Sequence, residues 1–319
     1  MNYLKKLFSY IYSYWYLIVL IIPLLVITLI SCKKKEESVL IVSENNTYAI
    51  VNDNESNELE IPIYLDSKYK FYIEEKNIQD IYLTDNKEEK YRLKLKQVES
   101  TSSTITNKEI ELNKYYLICE FNYMSIDKIY IPNAYLRLEY HNNEKYSIQI
   151  GSFIAQRITS INRIKVKNLK GIVNNIIPKD NDLIPSTVAL LINLETDNYL
   201  EIIDIELVNG IGEINKDQII EFDNLEISND TDINKLLNNK YRINYQDTIL
   251  TNNIKLLSKQ EKKLLLPISY RELYTINQAG LIITYIYNNE VYKQVIDMIP
   301  VFNSNLNNNY YVYNFAPNK

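Results

Sequence analysis

Beyond residue 37 apolar and polar side chains alternate, and a period of two is what a strand with one buried and one wet face demands. Leu59, Ile61, Ile63 and Leu65 alternate with Glu60, Pro62 and Tyr64. Tyr91, Leu93 and Leu95 alternate with Lys90, Arg92, Lys94 and Lys96, and Tyr115, Leu117, Cys119, Phe121 and Tyr123 share one parity. Clusters of Asn, Asp and Ser separate such runs, at 52–57, 85–86 and 142–143. The chain has only 5 glycines. Asparagine is therefore expected at turn positions of positive φ, which it tolerates better than most side chains. Many short strands at this spacing predict an all-β fold of the sandwich or barrel type.

Four runs return in the same order. Ile78-Gln79-Asp80-Ile81-Tyr82-Leu83 returns as Ile202-Ile203-Asp204-Ile205-Glu206-Leu207. Leu117, Cys119, Phe121 and Tyr123 match Leu264, Leu266, Ile268 and Tyr270; Leu136, Leu138 and Tyr140 match Leu281, Ile283 and Tyr285. Each last run meets a turn, at Asn142-Asn143-Glu144-Lys145-Tyr146 and at Asn288-Asn289-Glu290-Val291-Tyr292. The match weakens after the turn, where Ile148 falls against Gln294. An internal duplication follows as the expectation: two tandem immunoglobulin-like β-sandwich domains, at 47–171 and 172–319. Trp15 is the only tryptophan, so the Cys-Trp-Cys core of antibody domains is missing and the term describes architecture alone. Gly171 marks the expected boundary, with Arg163–Lys170 as the closing strand of the first unit and Tyr310–Tyr313 as its counterpart. The second unit is longer, and an insertion is expected at about 210–247, where Asp232 would cap a short helix. Loops on a rigid scaffold are where function concentrates.

The amino terminus carries a separate signal. Lys5 and Lys6 precede 25 uncharged residues, Leu7 to Ser31, whose most apolar part is Leu17–Ile30. Leu29-Ile30-Ser31-Cys32 closes this stretch and Lys33-Lys34-Lys35 follows it. The run resembles the signal and lipobox of bacterial lipoproteins of the low-GC Gram-positive kind. That resemblance, which covers residues 1 to about 37, implies cleavage before Cys32, a diacylglycerol on its thiol, and domains on the extracytoplasmic side of the cell membrane. Residues 32–46 would then be a tether. The alternative keeps 1–31 as an uncleaved spanning helix, for which about 20 apolar residues suffice.

Composition narrows the rest. Loss of 1–31 takes the formal charge from −5 to −7, which argues against a nucleic-acid partner. There are 2 cysteines, and with Cys32 lipidated Cys119 has no disulfide partner. Cys119 shares the parity of Leu117 and Phe121 and reads as a core residue. His141, the single histidine, sits at a turn and has no visible triad partners. Asp230-Thr231-Asp232-Ile233-Asn234 has the opening spacing of a calcium loop but lacks its glycine, with Lys235 there instead. Asp180-Asn181-Asp182 is weaker. No catalytic set, metal site or cofactor is assigned. The largest local charge feature is the stripe Arg163, Lys165, Lys167 and Lys170, with Arg157 before it. It is a candidate surface contact for an anionic membrane or wall polymer, or the wet face of an edge strand. The functional expectation is a non-enzymatic, membrane-anchored binding or accessory protein with a protein or cell-envelope partner. The alternatives are a solute-binding lipoprotein of a transporter and a cell-envelope enzyme.

Overall fold

The first eight strands are β1 (Val39–Glu44), β2 (Asn46–Asn52), β3 (Ser56–Leu65), β4 (Ile78–Thr84), β5 (Lys90–Asn107), β6 (Ile110–Asn122), β7 (Lys128–Tyr140) and β8 (Lys145–Arg157). The computed structural model describes residues 15, 39–85, 89–107, 109–123, 127–176, 184–209, 212–222, 250–270, 278–300 and 310–315. The signal segment with Leu29, Ile30, Ser31 and Cys32, the Asp180 and Asp230 runs and most of the expected insertion lie outside these residues. No helix among them is long and apolar enough to cross a membrane.

β1 to β8 form one sheet in the order β1-β3-β6-β5-β4-β7-β8-β2, with β18 (Tyr310–Phe315) beside β1. The sheet folds over on itself through β5, a strand of 18 residues. Leu93 of β5 faces Ile81 of β4 on one side and Phe121 of β6 on the other. The two leaves meet where Phe121 packs edge-on against Phe153 at 5.2 Å. Ser43 of β1 also donates across to the Gln149 carbonyl of β8. Between β1 and β2 the chain changes leaf over Gly151, whose φ is 116°. A Cβ there would collide with the Asn46 backbone, so the crossover needs glycine.

The second set is β9 (Ile164–Ile176), β10 (Ile184–Thr196), β11 (Leu200–Val208), β12 (Gly212–Ile214), β13 (Ile220–Phe222), β14 (Ile254–Leu256), β15 (Glu261–Tyr270), β16 (Gln278–Tyr287) and β17 (Glu290–Pro300). One sheet runs β12-β15-β10-β9 with β13 also on β15, and the other runs β14-β11-β16-β17. Ile192, Leu194, Leu264 and Leu266 of the first pack with Ile202, Ile205, Leu281, Ile283 and Tyr285 of the second in one buried cluster. Burying such side chains contributes roughly 1.5–3 kcal/mol each. The orders β1-β3-β6 with β4-β7-β8, and β9-β10-β15 with β11-β16-β17, are those of strands A, B, E and C, F, G in an immunoglobulin-type sandwich.

The two halves share registers as well as order. Ile78, Ile81 and Leu83 of β4 face Tyr140, Leu138 and Leu136 of β7, with a register shift between Ile78 and Asp80. Ile202, Ile205 and Leu207 of β11 face Tyr285, Ile283 and Leu281 of β16, with the shift between Ile202 and Asp204. A second irregularity falls at Ala134, opposite Gly151, and at Ala279, opposite Ile299. Leu136 faces Ile148 and Leu281 faces Ile296. The second hairpin is therefore longer, and Ile148 corresponds to Ile296, which removes the mismatch with Gln294. Asparagine fills the turns: Asn143, Asn288 and Asn289 have φ of 67°, 50° and 64°.

Three sequence expectations need correction. Val39–Glu44 is strand β1 and Asn46 opens β2, so the region 32–46 is not all tether. The apolar run Val39-Leu40-Ile41-Val42 suits a sheet. Gly171 lies inside β9 and faces Leu190, next to a register shift between Thr187 and Ala189 that absorbs the irregularity. The stripe Arg163–Lys170 thus leads into and lies along the first strand of the second half, and the halves divide at Ile158–Arg163. Tyr310–Tyr313 belongs to β18, beside β1 at the edge of the first sheet, and not to the second half's sheets.

Residues Ile41–Tyr313 cluster as one unit, and the junction explains why. Ala49, Val51, Ile154 and Ile158 of the first half bury against Val208 and Ile282, with Val295 alongside. Ile282 lies on the outer face of its sheet, since Leu281 and Ile283 fill the sandwich. β2 is an edge strand with unpaired N–H groups, a feature proteins normally cover. Here the second half covers it: Ala49 N–H donates to Gln278 Oε1 at 3.3 Å and Val51 N–H to Asp297 Oδ1 at 2.8 Å. Gly280 meets Val51, and a Cβ on it would overlap the valine side chain. The linker runs on along β17, with Ile161 N–H donating to the Lys293 carbonyl at 2.8 Å. Gln294 then holds the start of β9, accepting from Arg163 N–H and Ile164 N–H and donating to the Ile164 carbonyl.

Candidate functional site

These contacts fix which end of the second half points away from the first. Asp297 sits beside Asn52, at the far end of β2, and Lys293 sits beside Ile161 of the linker. β17 read backwards therefore leads outward, and the β16–β17 turn at Asn288-Asn289 lies at the tip. The β10–β11 turn is at the same end, because Glu201 faces Ile286.

At this tip β11 and β14 pair with Leu200 opposite Leu256, both buried in the core. One residue further, Tyr199 and Leu257 point the other way, 49% and 52% exposed. Two turns are locked beneath them: Lys259 N–H donates to the Thr196 carbonyl at 2.7 Å and Ser258 Oγ to the Asp197 carbonyl at 2.7 Å. Lys259 takes a φ of 61° to make this turn. The rim is polar and self-paired. Glu201 accepts from the Tyr199 hydroxyl and, at 3.3 Å, from the Asn253 amide. The Tyr199 hydroxyl holds the Glu201 carboxyl below the usual range, and the Glu201 acceptor pushes the tyrosine up. Exposed aromatic and aliphatic side chains inside a polar rim have the composition of a protein-binding surface.

The basic stripe borders the same tip. Lys165 pairs with Asp197 at 2.8 Å and with Glu195 at 3.9 Å; Lys167 pairs with Glu195 at 3.0 Å. The hydrogen bond to Lys165 pulls the Asp197 carboxyl below its ordinary value, and the same bond raises the lysine. The Arg163 guanidinium lies over the Tyr287 ring at 4.2 Å, a cation–π geometry. Lys170 lies further along β9, exposed and opposite Leu191. The sequence shows four closely spaced cations; the antiparallel β9–β10 pairing sets Glu195 across from Lys165, and the turn after β10 adds Asp197. β9 is indeed the edge strand of its sheet.

The other candidates separate cleanly. Cys119 is buried, and burial pushes its thiol up to about 12, so it is an inert core residue at neutral pH. His141 is exposed in the β7–β8 turn. Among the described residues no three His, Cys, Asp or Glu side chains group to hold a metal ion. A cleft of about 430 Å³ opens where β5 crosses between leaves, over Leu93 and Leu95. Two charge pairs lie on its rim, Asp80 with Arg92 at 2.6 Å and Glu120 with Lys96. The Tyr199–Leu257 pair was missed in the sequence because it depends on the register of β14, a strand of 3 residues.

No family model and no curated protein sequence matches the chain. Among solved structures, a marsupial T cell receptor is 8% identical with a TM-score of 0.20, over 82% of this chain and 61% of that one. A titin fragment, A168–A169, is 9% identical with a TM-score of 0.16, over 81% and 97%. A protein of unknown function from Porphyromonas gingivalis W83 is 8% identical with a TM-score of 0.20, over 81% and 99%. At such TM-scores these likenesses carry no argument about function.

Proposed function

We propose that this chain is a membrane-anchored, extracytoplasmic binding protein. Two immunoglobulin-like sandwiches, descended from one duplicated unit, form a single rigid arm whose tip contacts a protein or cell-envelope partner. The observation that carries the anchor is the run Leu29-Ile30-Ser31-Cys32 after an uncharged stretch of 25 residues. The duplication is supported by the paired register shifts at Ile78/Asp80 and Ile202/Asp204, which convergence on a common architecture does not require. Rigidity is supported by the buried junction and by the side chains that cap β2. The mechanism is display: the lipid on Cys32 would hold the chain, and Tyr199 and Leu257 stand at the end of the second half that points away from the first. Arg163 and Lys165 border this surface, while Lys167 and Lys170 continue along the β9 edge.

A photo-crosslinking residue in place of Leu257, in cells carrying the full chain, tests the contact. A discrete adduct at this position and none at the exposed Tyr130 of the first half is the expected result. Equal labelling at both positions, or at neither, would remove the tip from the proposal. A transport role instead predicts a small molecule retained through purification and released on unfolding, detectable by mass spectrometry.

A further inference from the structure

The opposite end of the arm has its own exposed apolar side chains. Leu65, the last residue of β3, faces Ile41 near the start of β1, and also Asn113 near the start of β6. The β3–β4 connection at 66–77, the β5–β6 turn and the entry of the chain are therefore at one end of the first half. Phe71 and Ile110 are 45% and 43% exposed there. The connection is firmly held. Lys68 N–H donates to Asp66 Oδ1 at 3.1 Å, the Phe71 and Tyr72 rings lie tilted against each other with centroids 4.0 Å apart, and the Tyr72 carbonyl accepts from the Tyr140 hydroxyl at 2.8 Å.

We propose that this end rests on the lipid surface that anchors the chain, with Phe71 and Ile110 seated among the headgroups; the proposal builds on the anchored reading above. Covalent geometry supports it. Cys32 and Val39 are seven residues apart, so the chain between them spans at most about 25 Å. β7, with 13 residues, is roughly 40 Å long at 3.3 Å per residue. The tether is shorter than the sandwich, which keeps the entry end next to the anchor. The local chemistry also fits. Exposed Lys68, Lys70 and Lys76 surround Phe71, Tyr69 and Tyr72, and aromatic rings mixed with lysines suit the headgroup layer. Lys68 and Lys76 are paired with Asp66 at 3.6 Å and Glu74 at 2.9 Å. The contact is consequently apolar in its main part and holds on uncharged lipid as well as anionic lipid.

The test uses the full lipidated chain in phosphatidylcholine vesicles. Cys119 is buried and Cys32 acylated, so Phe71→Cys creates one labelling site for a polarity-sensitive fluorophore. Ile110→Cys repeats the measurement, and Leu257→Cys at the tip is the control. Lipids spin-labelled at the headgroup should quench the labels at 71 and 110 several-fold more than the label at 257. Equal quenching at all three positions, in protein that floats with the vesicles, overturns the docking and leaves the anchor intact. Protein that does not float with the vesicles overturns the anchor and the docking together. Protection of position 71 that appears only when envelope proteins are added assigns the surface to a protein and also overturns the lipid contact.

Discussion

The two halves are built on one register and differ in how they close. In the first, β5 runs from one leaf to the other and joins β1 to β8 into a single sheet; in the second, among the described residues, the same edge holds β12, β13 and β14, and the leaves are separate sheets. The first half adds β2, parallel to β8, whereas in the second the Gln294 side chain does part of that work by holding Arg163 and Ile164. The first half is thus closed by backbone pairing, and the second is closed by side chains and by the first half lying against it. Stability and sensitivity to change should follow this division.

The largest expected effect is at Gly151, whose counterpart Ile299 is an ordinary strand residue. Gly151→Val should cost about 4 kcal/mol, from positive-φ strain plus overlap with Asn46, and read out as a large drop in the urea midpoint. A shift of less than about 1 kcal/mol would mean that the β1–β2 crossover is not held as described. Next, Gly280→Leu should cost about 3 kcal/mol by driving a side chain into Val51. It acts on the junction alone, so calorimetry should resolve two transitions where the parent protein shows one. A single transition with lowered Tm would show that the halves cooperate through more than this contact.

Gln294→Ala should cost about 2 kcal/mol, because the buried Ile164 N–H and the half-buried Arg163 N–H lose their acceptor. Its effect belongs to the second half, seen as faster amide exchange at Arg163 and Ile164. Unchanged protection there would assign the closure of the second half to other groups. The smallest effect is alkaline. Burial raises the Tyr48, Tyr64 and Tyr140 hydroxyls, and raises Tyr123 to about 12. Burial alone would lower Lys114, but the hydrogen bond and charge of Glu44 outweigh it and the net shift is upward. A raised folded pKa gives stability that is complete below the unfolded value and is lost progressively as pH rises from there through the folded value. All five groups are in the first half, which should lose on the order of 1 kcal/mol at pH 10 while the second loses less. Earlier loss of the second half would reverse the comparison.

Much of this architecture is legible in the sequence. The runs at Leu59–Leu65 and Tyr115–Tyr123 alternate cleanly because each strand buries one face, and the repeat of Ile78–Leu83 at Ile202–Leu207 appears because both strands fill equivalent places. What escapes is set by tertiary pairing. The lysines of β9 look like a cationic stripe until β10 and the turn after it bring Glu195 and Asp197 to them. Gly171 looks like a break, yet a bulge in the neighbouring strand lets β9 pass. The outer apolar face of Ile282 and Val295 adds a second hydrophobic parity to β16 and β17, and only docking of β2 explains it. Tyr199 and Leu257, like Phe71 and Ile110, are single exposed residues in sequence, and only strand register brings each pair to a common end.

The proposed attachment at Cys32 is the point on which the readings of both ends depend. Cells expressing the full chain, grown with a labelled fatty acid, report on it directly. Label incorporated into the wild-type protein and lost in Cys32→Ala is the predicted result; label that persists in Cys32→Ala, or never enters the wild type, would contradict a lipid anchor.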